Sequence, residues 1–183
     1  FDNIAISENF IYLSDTSLGL RIFDISDPNN ISEISTVNLK NEYSYYVTSS
    51  CTCVSGNYFY SLSNDSVTKI DISDKTNPFI VGTYNLAEII TFPVTYISAD
   101  DNFVYLSGAS ESSVTEYDKG VVVIDLTDHE SPKTIGSFSF NEDYGCSDMC
   151  LSDKKLFVAT YIGVDIIDVS NPASPHESGF YKT

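Results

Sequence analysis

A chain of 183 residues and 20.2 kDa, 42% hydrophobic and 19% charged, can bury one sizeable core and is not a disordered tail. Nine Lys and Arg stand against 26 Asp and Glu, a net charge of -17 that excludes the basic footprint nucleic acid or an anionic membrane surface rewards. No apolar run approaches the ~20 residues of a bilayer-spanning helix, so no membrane insertion is expected.

In chain order the elements repeat. A hairpin IAISENFIYLS turning at Glu8-Asn9 precedes GLRIFDISD (Gly19–Asp27), then ISEISTVNL. TCVSGNYFYSL turns at Gly56-Asn57 and leads to SVTKIDISD (Ser66–Asp74) and PFIVGTYNL. ISADDNFVYLS turns at Asp101-Asn102, before GVVVIDLTD (Gly120–Asp128) and PKTIGSFSF. MCLSDKKLFVA turns at Asp153-Lys154, before GVDIIDVSN (Gly163–Asn171) and PHESGFYKT. The small residues Ser35, Gly82, Gly136 and Gly179 align, as do Val37, Tyr84, Phe138 and Tyr181.

Each unit of roughly 45 residues therefore holds four short strands separated by turns, and such units stacked face to face are the blades of a β-propeller. The expected fold is all-β, a single domain 1–183 of four four-stranded antiparallel blades at about 1–45, 46–92, 93–144 and 145–183. In units 3 and 4 the third strand is apolar on both faces, which predicts burial on both sides. The chain opens in mid-pattern at Phe1, so a secretory leader is expected to have been removed or to lie outside these residues. Unit 1 starts on its innermost strand and unit 4 ends on its outermost, leaving no strand to stitch first and last blades. Three outcomes follow: an unstitched four-blade ring, half of an eight-blade ring made by two chains, or a segment of a longer repeat protein.

The repeated I-D-I-S-D run with its following N-P, preceded by G-L-R-I and followed by V-G-T-Y, resembles the LVIVD repeat. The resemblance implies β-propellers of bacterial and archaeal surface or secreted proteins, and it supplies no catalytic residues. Unit 1 lacks the proline at Ile31, unit 2 has Ser66 in place of glycine, and unit 3 carries an insertion, Gly108 to Lys119.

Candidate site residues are few. Asp24, Asp27, Asp71, Asp74, Asp125 and Asp128 place oxygens three residues apart, a spacing a hard cation such as calcium accepts. The competing reading is local turn closure by Asp and Ser at a strand end. Cys51, Cys53, Cys146 and Cys150 form two close pairs and are read first as disulfides, with buried thiols or a metal as alternatives. Local Cys146–Cys150 pairing is preferred; Cys53–Cys150 with Cys51–Cys146 would require a small closed ring. Two histidines, His129 and His176, lie at exposed strand starts, and no nucleophile elbow or phosphate loop appears, so no enzyme and no resident cofactor is expected. Tyr43, Tyr45 and Tyr46, in a long connection between blades, are candidate contact residues. The sequons at Asn30 and Asn64 admit glycans. The function expected is a non-enzymatic extracellular or cell-surface module that binds protein and self-associates. The alternative is a calcium-dependent carbohydrate-binding module or small hydrolase using the propeller mouth.

Overall fold

Two-residue turns set the architecture. Ser7 pairs with Phe10, Ser55 with Tyr58, Asp100 with Phe103 and Ser152 with Lys155. Glu8, Gly56, Asp101 and Asp153, first in each turn, take φ of 54, 54, 50 and 48°. Positive φ at that position matches the turn to the right-handed twist of its strands, which is why polar residues and glycine hold it.

The computed structural model describes residues 3–15, 18–39, 51–63, 66–90, 94–108, 120–140 and 145–183. Blade 1 contains β1 (Asn3–Ser7), β2 (Phe10–Asp15), β3 (Gly19–Asp24) and β4 (Ser32–Val37). Blade 2 contains β5 (Cys51–Ser55), β6 (Tyr58–Leu62), β7 (Ser66–Asp71) and β8 (Phe79–Asn85). Blade 3 contains β9 (Tyr96–Asp100), β10 (Phe103–Ser107), β11 (Gly120–Asp125) and β12 (Lys133–Ser139). Blade 4 contains β13 (Cys146–Ser152), β14 (Lys155–Thr160), β15 (Gly163–Asp168) and β16 (His176–Lys182). Each blade is one antiparallel sheet with its strands in sequence order. A three-residue 3-10 turn, Leu86–Glu88, is the one helical element among the described residues. The fold class is the expected one: all-β, four four-stranded antiparallel blades of the β-propeller type.

The chain divides into two compact units, Phe1–Tyr84 with blades 1 and 2 and Asn85–Thr183 with blades 3 and 4. In the first unit Tyr12, Leu20, Ile22 and Val37 of blade 1 pack against Phe59, Ile70 and Ile72 of blade 2. In the second, Tyr105, Val121 and Val123 of blade 3 pack against Leu156, Val158, Ile167 and Val169 of blade 4. Each such side chain contributes roughly 1.5–3 kcal/mol by leaving water.

The two units build this core from the same repeat positions. A blade leads with the face holding Tyr12 or Tyr105, and the next blade receives it on the face holding Phe59 or Leu156. The Tyr12 and Phe59 rings stack with centroids 6.0 Å apart. A bulge falls beside the small residue in blades 1, 3 and 4, where Ser35, Gly136 and Gly179 pair with Ile22, Val123 and Ile166.

One expectation needs correction. β11 is buried on both faces, from Val121 to Ile124, but β15 is not. Ile167 meets blade 3 and is fully buried, whereas Val164 and Ile166, on the opposite face, keep part of their surface. Hydrophobicity on both faces of a strand records what each face suits, not that both are covered.

Candidate functional site

The repeated aspartates occupy the end of each third strand and the turn behind it. Oδ1 of Asp24, Asp71, Asp125 and Asp168 accepts the backbone N–H two residues on, from Ser26, Ser73, Thr127 and Ser170, each at 2.8 Å. Three residues later the arrangement recurs. Asp27 accepts from Asn29 at 3.0 Å, Asp74 from Thr76 at 2.9 Å, Asp128 from Glu130 at 3.1 Å and Asn171 from Ala173 at 3.2 Å. The residue after the first aspartate then donates its N–H to the hairpin turn of its own blade. Ile25 reaches Asn9, Ile72 reaches Asn57, Leu126 reaches Asn102 and Val169 reaches Lys154, at 2.8 to 3.0 Å.

This tandem turn gives every candidate aspartate a backbone partner. Asn171 serves as well as aspartate, so a charge is not what the position requires. Hydrogen bonds from Ser26 hold Asp24 below the usual carboxylate range, and those from Thr76 do the same for Asp74. Asp168 is lowered most by its bond to Lys155, then by Ser170. Among the described residues no three His, Cys, Asp or Glu side chains gather to hold a metal ion.

No disulfide joins the cysteines. The preferred local bridge is corrected by geometry: Cys146 and Cys150 lie four residues apart on β13, a span of ~13 Å in extended chain, while bridged Cα atoms lie within ~7 Å. Cys146 is buried in the core of the second unit and its thiol donates to the carbonyl of Asp148 at 3.3 Å. Cys150 is exposed. Cys51 and Cys53 are half-buried on β5, and burial pushes the Cys53 thiol up, with Cys51 adding to the shift.

Tyr43, Tyr45, Tyr46 and Asn64 lie outside the described residues, as does the unit 3 insertion from residue 109 to 119. Asn30 is exposed in its turn. His129 and His176 are exposed as well, and Nδ1 of His176 lies 3.4 Å from the Ser174 carbonyl. Lys69 was not singled out by the sequence. It is fully buried on β7, with Nζ 4.0 Å from the Tyr58 ring centroid and 6.0 Å from that of Tyr60. Its signal was available, since the position holds Ile22, Val123 and Ile166 in the other blades.

Two sheet faces expose apolar side chains. On blade 1 the face away from blade 2 carries Ile4, 56% exposed, and Ile6, 63% exposed, in register with Leu13 and Ile11. On blade 4 the face away from blade 3 carries Cys150, Phe157, Val164, Ile166 and Tyr181, the last 68% exposed. Single apolar side chains on a surface are ordinary; these two sheet faces carry several in register.

The LVIVD repeat profile matches residues 2–39, 50–86 and 146–183, more than half of the chain. The chain belongs to the LVIVD repeat family. The LVIVD profile passes over the third unit, where the insertion interrupts the pattern, yet blade 3 has the same strands and the same tandem turn. No curated protein sequence matches this LVIVD chain. Among solved structures it is similar to a chain of the mitotic checkpoint complex, with TM-score 0.61 and 11% identity over 99% of this chain and 53% of that one. It is similar also to a functionally unknown protein from Desulfotomaculum acetoxidans DSM 771, with TM-score 0.60 and 12% identity over 99% of this chain and 55% of that one. These likenesses are of fold, and the chain spans about half the length of the structures it matches.

Proposed function

We propose that this LVIVD chain is a non-enzymatic interaction module of an extracellular or cell-surface β-propeller, which holds protein partners, copies of itself included, through its blade faces. The observation that carries the reading is the exposure of Ile4, Ile6 and Tyr181 on two sheet faces. The repeat's own aspartates support it, since their oxygens close turns. The exposed Asn30 sequon and the acidic surface suit a protein outside the cell.

Sedimentation velocity across a concentration series, with calcium and with EDTA, tests the proposal. Association indifferent to EDTA is the expected result. A monomer whose melting temperature rises with calcium would overturn it in favour of a calcium-dependent binder.

A further inference from the structure

We propose that blade 1 receives blade 4 of a second copy of this chain, by the packing that already joins blade 1 to blade 2 and blade 3 to blade 4. The inference rests on the interaction reading above and fixes its partner and its direction.

The internal repeat distinguishes the two faces of a blade. The leading face holds Tyr12 with Leu20 and Ile22 in blade 1, and Tyr105 with Val121 and Val123 in blade 3. In blade 4 the same positions are Phe157, Val164 and Ile166, so its exposed face is a leading face. The receiving face holds Phe59 with Ile70 in blade 2, and Leu156 with Ile167 in blade 4. In blade 1 those positions are Ile11 and Phe23, so its exposed face is a receiving face. The two free faces are therefore of opposite kind. A leading face is offered at one end of the repeat array and a receiving face at the other, so the pairing is head-to-tail rather than like with like.

An independent observation lies at the small-residue position of the outer strand. In blade 1 the Ser35 hydroxyl donates to the carbonyl of Lys75, in the tandem turn of blade 2, at 2.7 Å. In blade 3 a Cβ on Gly136 would stand 2.4 Å from the carbonyl oxygen of Pro172, in the tandem turn of blade 4. Lys75 and Pro172 are the same repeat position, so each leading blade is clasped there by the turn of the blade that receives it. In blade 4 the position is Gly179, and a Cβ there would meet only Ile166 Cδ1, at 3.7 Å. The corresponding turn residue of blade 1 is Pro28, exposed to solvent. Pro28 of a second copy fits over Gly179 as Pro172 fits over Gly136.

One position weakens the match. Ser178 stands where blades 1 and 3 send Ile34 and Ile135 into the core between blades.

Three variants test this by sedimentation velocity, with circular dichroism melting to show that each folds. Gly179→Leu has room in its own blade but blocks the clasp, and Ile6→Lys places a charge on the receiving face. Wild type should associate as concentration rises, each of these variants alone should stay monomeric while melting cooperatively, and an equimolar mixture of the two should recover a heterodimer through the one pairing both leave intact. Ser178→Ile should tighten the wild-type dimer by about tenfold, the effect of one more buried aliphatic side chain. A wild-type dimer that ignores Gly179→Leu would overturn the head-to-tail contact while leaving the interaction reading in place. A wild type monomeric at every concentration would overturn self-association itself.

Discussion

Asp74 shows how little of this repeat's chemistry is left for a ligand. Its Oδ1 accepts from the Thr76 N–H at 2.9 Å and the Thr76 hydroxyl at 2.7 Å, and the Asp74 carbonyl closes the same turn onto the N–H of Asn77 at 3.1 Å. Because Asn171 closes the equivalent turn, Asp74→Asn should leave the urea midpoint close to that of wild type, whereas Asp74→Ala should lower it. Urea midpoints check both, and calcium should shift neither. Charge matters more at Glu33, which takes both guanidinium bonds from Arg21, at 3.0 and 2.5 Å. These bonds, with one from Thr36, bring its carboxyl from an ordinary 4.5 down to about 2. A carboxyl lowered by folding binds fewer protons in the folded state, so its contribution is complete above about pH 4.5 and is lost as the pH falls toward 2. The pair is partly exposed and screened, so the loss is below ~1 kcal/mol. Urea midpoints in this window should fall less steeply with acid in Arg21→Gln than in wild type; parallel curves would show that the pair stabilises nothing.

At the level of elements the third blade is the informative one. Its insertion begins after β10 and ends before β11, and the ends are already tied: the Ser107 hydroxyl donates to the Gly120 carbonyl at 2.7 Å. Blade 4 makes the same tie from Thr160 to Gly163, at 3.2 Å, across a two-residue turn. Replacing residues 109–119 with Asn-Gly should therefore leave stability within ~1 kcal/mol, read by thermal melting, and loss of soluble protein would place the segment in the core. Strands, hairpins and tandem turns were legible in the sequence because each is closed by residues within a few positions of one another and written four times. The cysteines were not, because pairing depends on where strands lie in space, and the register shift between Cys146 and Asp148 leaves Cys146 in the core between blades 3 and 4 and Cys150 on the opposite face of β13. The half-exposure of Val164 and Ile166 was hidden for a related reason: an apolar strand face has the same sequence whether or not it is covered. Lys69 was masked by reading the repeat for its recurring residues instead of its exceptions.

For the whole molecule, apolar blade faces and a net charge of -17 pull association in opposite directions. Two copies brought face to face place like charges within a Debye length, ~10 Å at 0.1 M salt, so ions relieve the repulsion while leaving apolar burial intact. The dimer should tighten as salt rises, the reverse of an association held by ion pairs. Cys150 reports on the same contact without any change of sequence. It lies on the leading face of blade 4 at the position of Ala5, which packs into the core between blades 1 and 2. In the monomeric Gly179→Leu variant Cys150, being exposed, should react with iodoacetamide well before Cys53, whose thiol burial has pushed up. In wild type the Cys150 rate should fall as protein concentration or salt drives pairing, with the Cys53 rate unmoved. Peptide mapping after timed alkylation reads both together, and a Cys150 rate independent of concentration would place the dimer contact on some other face.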